Sequence, residues 1–305
     1  MLTLSSLSRR ELGAQLAGAG IWLQTGRFVA RLQSAVPSVA DGLHLLYADY
    51  PLCNPDGFAD FHLRLERPKD WRRWFRPQVR LLYDGHADFQ PLPYGHAFPM
   101  FEWGLNWCVS SRANRYLMIH AAVVEKDGCA AILPAPPGSG KSTLTAALVH
   151  HGWRLLSDEL TLIRPEDGRV LACPRPISLK NSSIALIRSY LPGAVLSPPV
   201  VNTEKGTVAH LKAPTDSVRR AAETARPAWI VFPQWRADAP PTLTPLPKAR
   251  TFIQLAENAF NYDVMGARGF DTLAGVIDGA DGYQFTYSRL DDALAVFAGL
   301  APPPL

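Results

Sequence analysis

The chain has 305 residues, room for one large domain or two modest ones, either with a sizeable buried core. Hydrophobic residues make up 47% and charged residues 19%, and 27 Pro with 22 Gly stay well short of the share found in low-complexity chains, so disordered, collagen-like and coiled-coil proteins are excluded. A formal net charge of +4 spread over this length does not specify nucleic acid, which needs a concentrated basic face.

In chain order, Ser8-x-x-Glu11 reads as a capping box that opens a short helix. Arg9-Arg10 superficially suggests a twin-arginine signal, but Glu11 and Gln15 interrupt the apolar stretch that should follow. Residues 1–95 look strand-rich beyond that helix, with strands expected at Phe28–Leu32, Leu43–Tyr47 and the alternating Phe61–Glu66. Gln78–Tyr83, then Asp84-Gly85, then Ala87 onward reads as a hairpin on a tight primed turn. The densest basic stretch runs from Arg64 to Arg80, interleaved with Trp71, Trp74 and Phe75, and reads as a solvated face with aromatic anchors. Phe98, Phe101, Leu105 and Cys108 fall at helical spacing.

The second half opens with apolar runs at Tyr116–Val124 and Cys129–Leu133, joined by the hairpin signal Lys126-Asp127-Gly128. A Pro/Gly loop and a helix over Ser142–His150 follow. Pro192–Pro199 and Pro240–Pro247 read as loops, Ala228–Phe232 as a buried strand, and Phe252–Phe260 and Leu290–Phe297 as helices. The four cysteines, Cys53, Cys108, Cys129 and Cys173, are scattered without a C-x-x-C pair, which suits a reducing compartment. With no apolar run near the ~18 residues of a membrane span, a cytoplasmic protein with no membrane and no nucleic-acid partner is expected.

Between the Cys129–Leu133 run and the following helix lies Ala135-Pro136-Pro137-Gly138-Ser139-Gly140-Lys141-Ser142-Thr143. A phosphate-binding loop needs inward-facing backbone N–H groups, a helix N-terminus aimed at the anion and a lysine for the outer phosphates. Gly138 and Gly140 permit the unusual backbone angles, Lys141 would reach the β- and γ-phosphates, and the Ser142 hydroxyl would ligate Mg²⁺. The first glycine of G-x-x-x-x-G-K-[ST] is replaced by Ala135. Downstream, Asp158-Glu159 interrupts an apolar stretch, and acids there serve a metal or act as a general base; a polar turn between two strands is the alternative. Upstream, His120 stands alone in an apolar strand, either a catalytic group or a satisfied core histidine.

Together these three pieces resemble the catalytic domain of HPr kinase/phosphorylase, and most closely the bacterial group called HPr kinase-related kinase A, over about residues 116 to 290. His120 before the loop and Asp158 after it match that family's spacing; the family's second aspartate is Glu159 here. The resemblance implies an α/β fold with a P-loop kinase domain over 96–305; the strand-rich region over 1–95 does not resemble the family's N-terminal domain, and acceptor recognition by its exposed strands is the role expected for it. It implies ATP and Mg²⁺ as cofactors, and a serine or threonine hydroxyl of a protein or peptide as acceptor. Asp158 would accept the hydroxyl proton, His120 would support it electrostatically, and Lys141 with Mg²⁺ on Ser142 and Glu159 would neutralise the transferring phosphoryl group. Pro137, Gly138, Ser139, Gly140, Lys141, Ser142 and Thr143 would bind the nucleotide. Arg175, Lys180 and Lys205, in polar stretches further on, can bind phosphates or the acceptor, although the family signature is not recognisable in Arg175–Asn181. Family members also form homo-oligomers. A nucleotide-binding switch or scaffold, or a P-loop NTPase, are the alternatives, and the absence of acceptor-dependent ATP consumption would favour them.

Overall fold

The computed structural model describes residues 2–55 and 57–303. Helix α1 (Arg9–Ala17) starts on the expected capping box: the Ser8 hydroxyl accepts from the Glu11 amide and the Glu11 carboxylate accepts from the Ser8 amide at 2.8 Å. Strands β1 (Ile21–Thr25) and β2 (Phe28–Ser34) form a hairpin. The segment read as a strand over Leu43–Tyr47 is instead the end of helix α2 (Pro37–Leu46). Its buried residues, Val39, Ala40, Leu43 and Leu46, follow the helical period from a proline in the first turn, and a five-residue window is too short to reveal that period. The helix is the crossover that lets β3 (Phe61–Glu66) pair parallel with β2.

Strand β4 (Gln78–Tyr83) then turns on Asp84 (φ 47°) and Gly85 (φ 85°), both left-handed as a primed turn requires. After the Tyr83–His86 bridge the return strand does not continue; only the short β5 (Leu92–Pro93) rejoins β4, and Phe89 in between packs edge-on to Trp107. The five strands lie in the order β1-β2-β3-β4-β5. Helix α3 (Ala97–Arg112) covers the sheet with Phe101 and Leu105, and the same buried cluster continues from Leu23, Phe61 and Leu81 through α3 to Met118 and Leu133.

The run Tyr116–Val124, expected as one strand, is two. Strand β6 (Leu117–Ile119) and strand β7 (Ala121–Lys126) belong to different sheets and are separated at His120. Strand β8 (Cys129–Pro134) follows on an Asp127-Gly128 primed turn and leads through residues 135–140 into helix α4 (Lys141–Val149). Next come β9 (Arg154–Ser157), β10 (Thr161–Ile163), β11 (Val170–Leu171), β12 (Ile177–Lys180), helix α5 (Ser182–Tyr190), β13 (Val200–Thr203), β14 (Gly206–Leu211), helix α6 (Thr215–Arg219) and β15 (Arg226–Trp235). Residues 242–246, expected in a loop, form strand β16 (Thr242–Leu246), antiparallel to the last strand and at the edge of its sheet, where Pro245 lacks no needed partner. Helices α7 (Lys248–Glu257), α8 (Tyr262–Met265) and α9 (Ala267–Asp278), strand β17 (Asp281–Tyr287) and helix α10 (Leu290–Ala298) complete the chain.

The main sheet has the order β16-β17-β15-β8-β7-β9, with β15 parallel to both β8 and β17. Its central strands are buried on both faces, as parallel strands sandwiched between helices must be. Ala131 and Leu133 face the side of Leu144, Leu148 and Phe297, whereas Ala130 and Ile132 face Leu255, Leu273 and Val276. The molecule is thus a mixed α/β protein in which β8, the strand ahead of the Gly-rich loop, is central.

At the other edge, Glu125 of β7 and Arg154 of β9 stand opposite each other and form an ion pair, 2% and 3% exposed. Glu125 also accepts from the Gly128 amide at 2.6 Å, and Arg154 also donates to the Arg220 carbonyl at 2.8 Å. Removing Arg154 leaves Glu125 buried with only Arg220, 3.8 Å away and more exposed, to compensate its charge. Arg154→Met therefore lowers unfolding free energy by about 3–5 kcal/mol in urea titrations, and the double variant Arg154→Met/Glu125→Gln recovers part of that loss.

Candidate functional site

The Gly-rich loop has the backbone its sequence demands. Gly138 and Gly140 have φ of 86° and 88°. A Cβ on Gly140 would come within 2.6 Å of the Tyr287 hydroxyl and 3.0 Å of Trp235 Cβ, so both space and dihedral require glycine there. The loop is pinned to the parallel strands: the Trp235 amide donates to the Ser139 carbonyl at 2.9 Å, and the Tyr287 hydroxyl to the Gly140 carbonyl at 3.1 Å. Gly140 is the N-cap of α4 and offers no side-chain cap, so the first amides of that helix are left without an intrahelical partner, as an anion site requires. Lys141 is buried there, and burial lowers its pKa while Asp158 and Glu159 pull it back up.

Register brings the acidic pair and the histidine together. The chain leaves one sheet for another at His120, between β6 and β7, and again at residues 158–160, between β9 and β10. Thr161 is paired with Ile119 and Ser157 with Val123, so the two crossings lie side by side at the end of β7. The Thr161 hydroxyl ties them by donating to the Ala121 carbonyl at 3.1 Å. Helix α4 meets this point through Ser142, whose hydroxyl donates to Asp158 Oδ2 at 3.2 Å. The Ser178 amide of β12 donates to the same oxygen at 3.2 Å.

Asp158 and Glu159 are adjacent but sit in opposite fields. Burial, and then the charge of Glu159, push Asp158 up to about 6, against Lys141 and the two hydrogen bonds. Burial also raises Glu159, yet Lys205, Lys180, Arg175 and Lys141 together outweigh it and hold that carboxylate below its ordinary range. Arg175 and Lys180 from one stretch and Lys205 from another thus gather on Glu159, with Lys205 also lying 5.0 Å from the Trp103 ring. His120 is half-buried, its amide bonded to the Asn258 carbonyl at 2.7 Å and its ring 5.6 Å from that of Phe260. Burial first, and Lys141 next, bring its pKa down to about 4. It is a neutral imidazole at neutral pH, suited to hydrogen bonding rather than to carrying charge.

Several site residues carry no motif. Glu102 and Asn106 of α3 lie one helical turn apart and face the acidic pair: Asn106 Nδ2 donates to Glu159, and Arg175 donates to Asn106 Oδ1. Arg175 lies 3.7 Å from the Glu102 carboxylate, which accepts a 2.8 Å bond from the Tyr47 hydroxyl. Burial lifts Glu102 to about 7 despite Arg175 and Tyr47. The sequence signal for these residues was two polar side chains at i and i+4 inside an otherwise apolar helix. Trp103, Asp158, Ser178 and His210 of β14 line one narrow cavity beside this network. Trp103 Nε1, Asp158 Oδ1, Ser178 Oγ and His210 Nε2 are all buried in it without a hydrogen-bond partner among the described residues. Unpartnered buried polar atoms are costly singly, and the four residues that carry them line one small polar space, the setting in which a buried water is held.

His210 is buried and held near 4 by desolvation, well below the ordinary 6.5. The unfolded chain therefore takes up its proton first, so this histidine's contribution to stability is present above 6.5 and is lost as pH falls toward about 4. His210→Gln accordingly shows a shallower decline of Tm than wild type over that interval in thermal melts.

No protein-family profile matches this chain. No curated protein matches it either. Among solved structures, the Hpr(Ser) kinase/phosphatase from Coxiella burnetii aligns with 59% of this chain and 95% of its own, at 13% identity and a TM-score of 0.28. A likeness at that TM-score carries no weight for this chain, whose chemistry has to follow from its own residues.

Proposed function

We propose that the protein is an ATP- and Mg²⁺-dependent kinase that transfers the γ-phosphoryl group to a serine or threonine hydroxyl of a protein or peptide. The observation that carries this reading is Asp158: one carboxylate oxygen is fixed by Ser142 and Ser178, and the other is buried without a partner in a polar cavity. A carboxylate whose pKa is raised to about 6 is still ionised at pH 7 and is a better proton acceptor than an ordinary aspartate. In this reading Asp158 Oδ1, which has no other partner among the described residues, is the atom left to accept the acceptor's proton.

The residues suit the nucleotide as well. Mg²⁺ is commonly held by one or two carboxylates and a P-loop hydroxyl, with phosphate oxygens and water completing its shell. Ser142 and Glu159 supply that set, while Asp158 Oδ2 accepts a hydrogen bond from Ser142 and Asp158 is kept as the base. When bound, the ion neutralises charge on the phosphates. Lys141 adds a fixed positive charge for the outer phosphates, and the amides of residues 138–142 receive their oxygens. Arg175, Lys180 and Lys205 surround Glu159 with positive charge, which favours an incoming phosphoryl group. Neutral His120 orients by hydrogen bonding. Tyr47, Glu102, Asn106 and Arg175 hold Glu159 still, so this reading gives α2 and α3 a share in positioning.

The test is transfer of labelled γ-phosphate from ATP to proteins and peptides encoded beside this gene. Wild type labels one acceptor; Asp158→Asn lowers turnover by about 10²- to 10⁴-fold while Mg-ATP binding, read by calorimetry, survives; Lys141→Ala loses the binding itself. Labelling by Asp158→Asn at the wild-type rate would sink the assignment of the base. Rapid hydrolysis that ignores every acceptor would make the protein an NTPase, and Mg-ATP binding without turnover a switch or scaffold.

A further inference from the structure

Between β3 and β4 the chain runs out as a tip, residues 67–76, that contributes little to the core and a great deal to the charge. A single turn of 3-10 helix, Trp71–Arg73, caps it, its amide end held by Asp70 through the Arg72 amide at 2.9 Å. Trp71, Trp74 and Phe75 are 60%, 76% and 61% exposed, the densest group of large exposed aromatics in the chain. Arg72, Arg73 and Arg76 each lie over one of these rings, 5.6 to 5.8 Å from its centroid. Arg67 and Lys69 complete five cations against one acid, Asp70, so these ten residues hold a surplus equal to the whole chain's +4. None of the five is in an ion pair among the described residues.

Against the expectation of no membrane partner and a merely solvated face, we propose that this tip docks the protein on an anionic lipid bilayer. Tryptophan and phenylalanine flanked by arginine is the composition that settles at the headgroup boundary, the rings entering the acyl edge while the guanidinium groups stay at the phosphates. Placement selects the partner. In the groove beside the tip, on the open face of the five-stranded sheet, Glu66 pairs with Arg64 and Arg80 and His62 with Asp84, and Lys69 is the one tip cation that lines it. Arg67, Arg72, Arg73, Arg76 and the aromatics stand outside that groove, on a single turn of 3-10 helix and its flanks that offers an extended peptide no strand edge to pair with. This inference is independent of the kinase reading, since it uses none of the residues around Asp158.

The measurement is co-sedimentation of the full chain with vesicles of phosphatidylcholine, with and without phosphatidylglycerol. Wild type binds the anionic vesicles, less so as salt rises, and the neutral ones far more weakly. Arg72→Gln/Arg73→Gln/Arg76→Gln lowers partitioning onto anionic vesicles by about a hundredfold, and Trp71→Ser/Trp74→Ser/Phe75→Ser by at least about tenfold. All six positions are outside the core, so circular dichroism and Tm of both variants match wild type and loss of binding is not loss of fold. The proposal is overturned if wild type fails to bind anionic vesicles at low salt, or if binding survives both variants. It is equally overturned if the tip captures a single-stranded oligonucleotide or a poly-glutamate peptide while ignoring vesicles.

Discussion

A carboxylate removed from water has to be held by something, and in this protein the way Asp158 is held organises the surrounding structure. Its Oδ2 receives one hydrogen bond from α4 and one from β12, so the helix after the Gly-rich loop and a strand of a second sheet meet on a single atom. That meeting is made available by the main-chain crossing between β9 and β10, and the matching crossing at His120 lies beside it because the strands on either side are paired in register. Had both hairpins stayed in one sheet, residues 158 to 160 would have been pleated strand and their side chains would have alternated between faces. The break in the ladder is what puts both carboxylates at one end of the sheet.

Four cations converge electrostatically on Glu159, and this explains how two neighbouring acids survive side by side in a buried place. Like charges this close cannot both be fully ionised without compensation. Lys205, Lys180, Arg175 and Lys141 hold Glu159 in its charged form, which leaves Asp158 as the member with the raised pKa. Which carboxyl stays charged and which is raised is therefore set by position among cations. It does not depend on one residue being aspartate and the other glutamate.

The legibility of the site in the sequence followed the same line. The Gly-rich loop is local: glycine dihedrals, the lysine and the helix start all lie within nine residues, and the structure shows each where spacing put it. Asp158 and His120 were legible as polar breaks in apolar runs, yet their joining depends on strand register. Glu102, Asn106 and Tyr47 reach the site from 50 to 110 residues away, so no window of sequence could reveal them. The strand expected over Leu43–Tyr47 failed for a related reason, since Leu and Tyr suit either state and only the longer run from Val39 shows the helical period. Protonation was the least legible property, for the pKa of His120 near 4 reflects burial and the nearby Lys141 rather than anything in its own neighbourhood in the chain.

Charge reads differently at the two ends of the molecule. A net of +4 looks like a faint surplus when spread over the whole length. Around Glu159 the cations face a buried acid and act within the site. On the β3–β4 tip the cations lie against aromatic rings and are in no ion pair among the described residues, so their charge is left for a partner. A small average charge is therefore compatible with strong local recognition, provided the remaining acids and bases are paired at home. The exclusion of a generally basic binding surface and the assignment of one anionic partner to one tip follow from that single distribution.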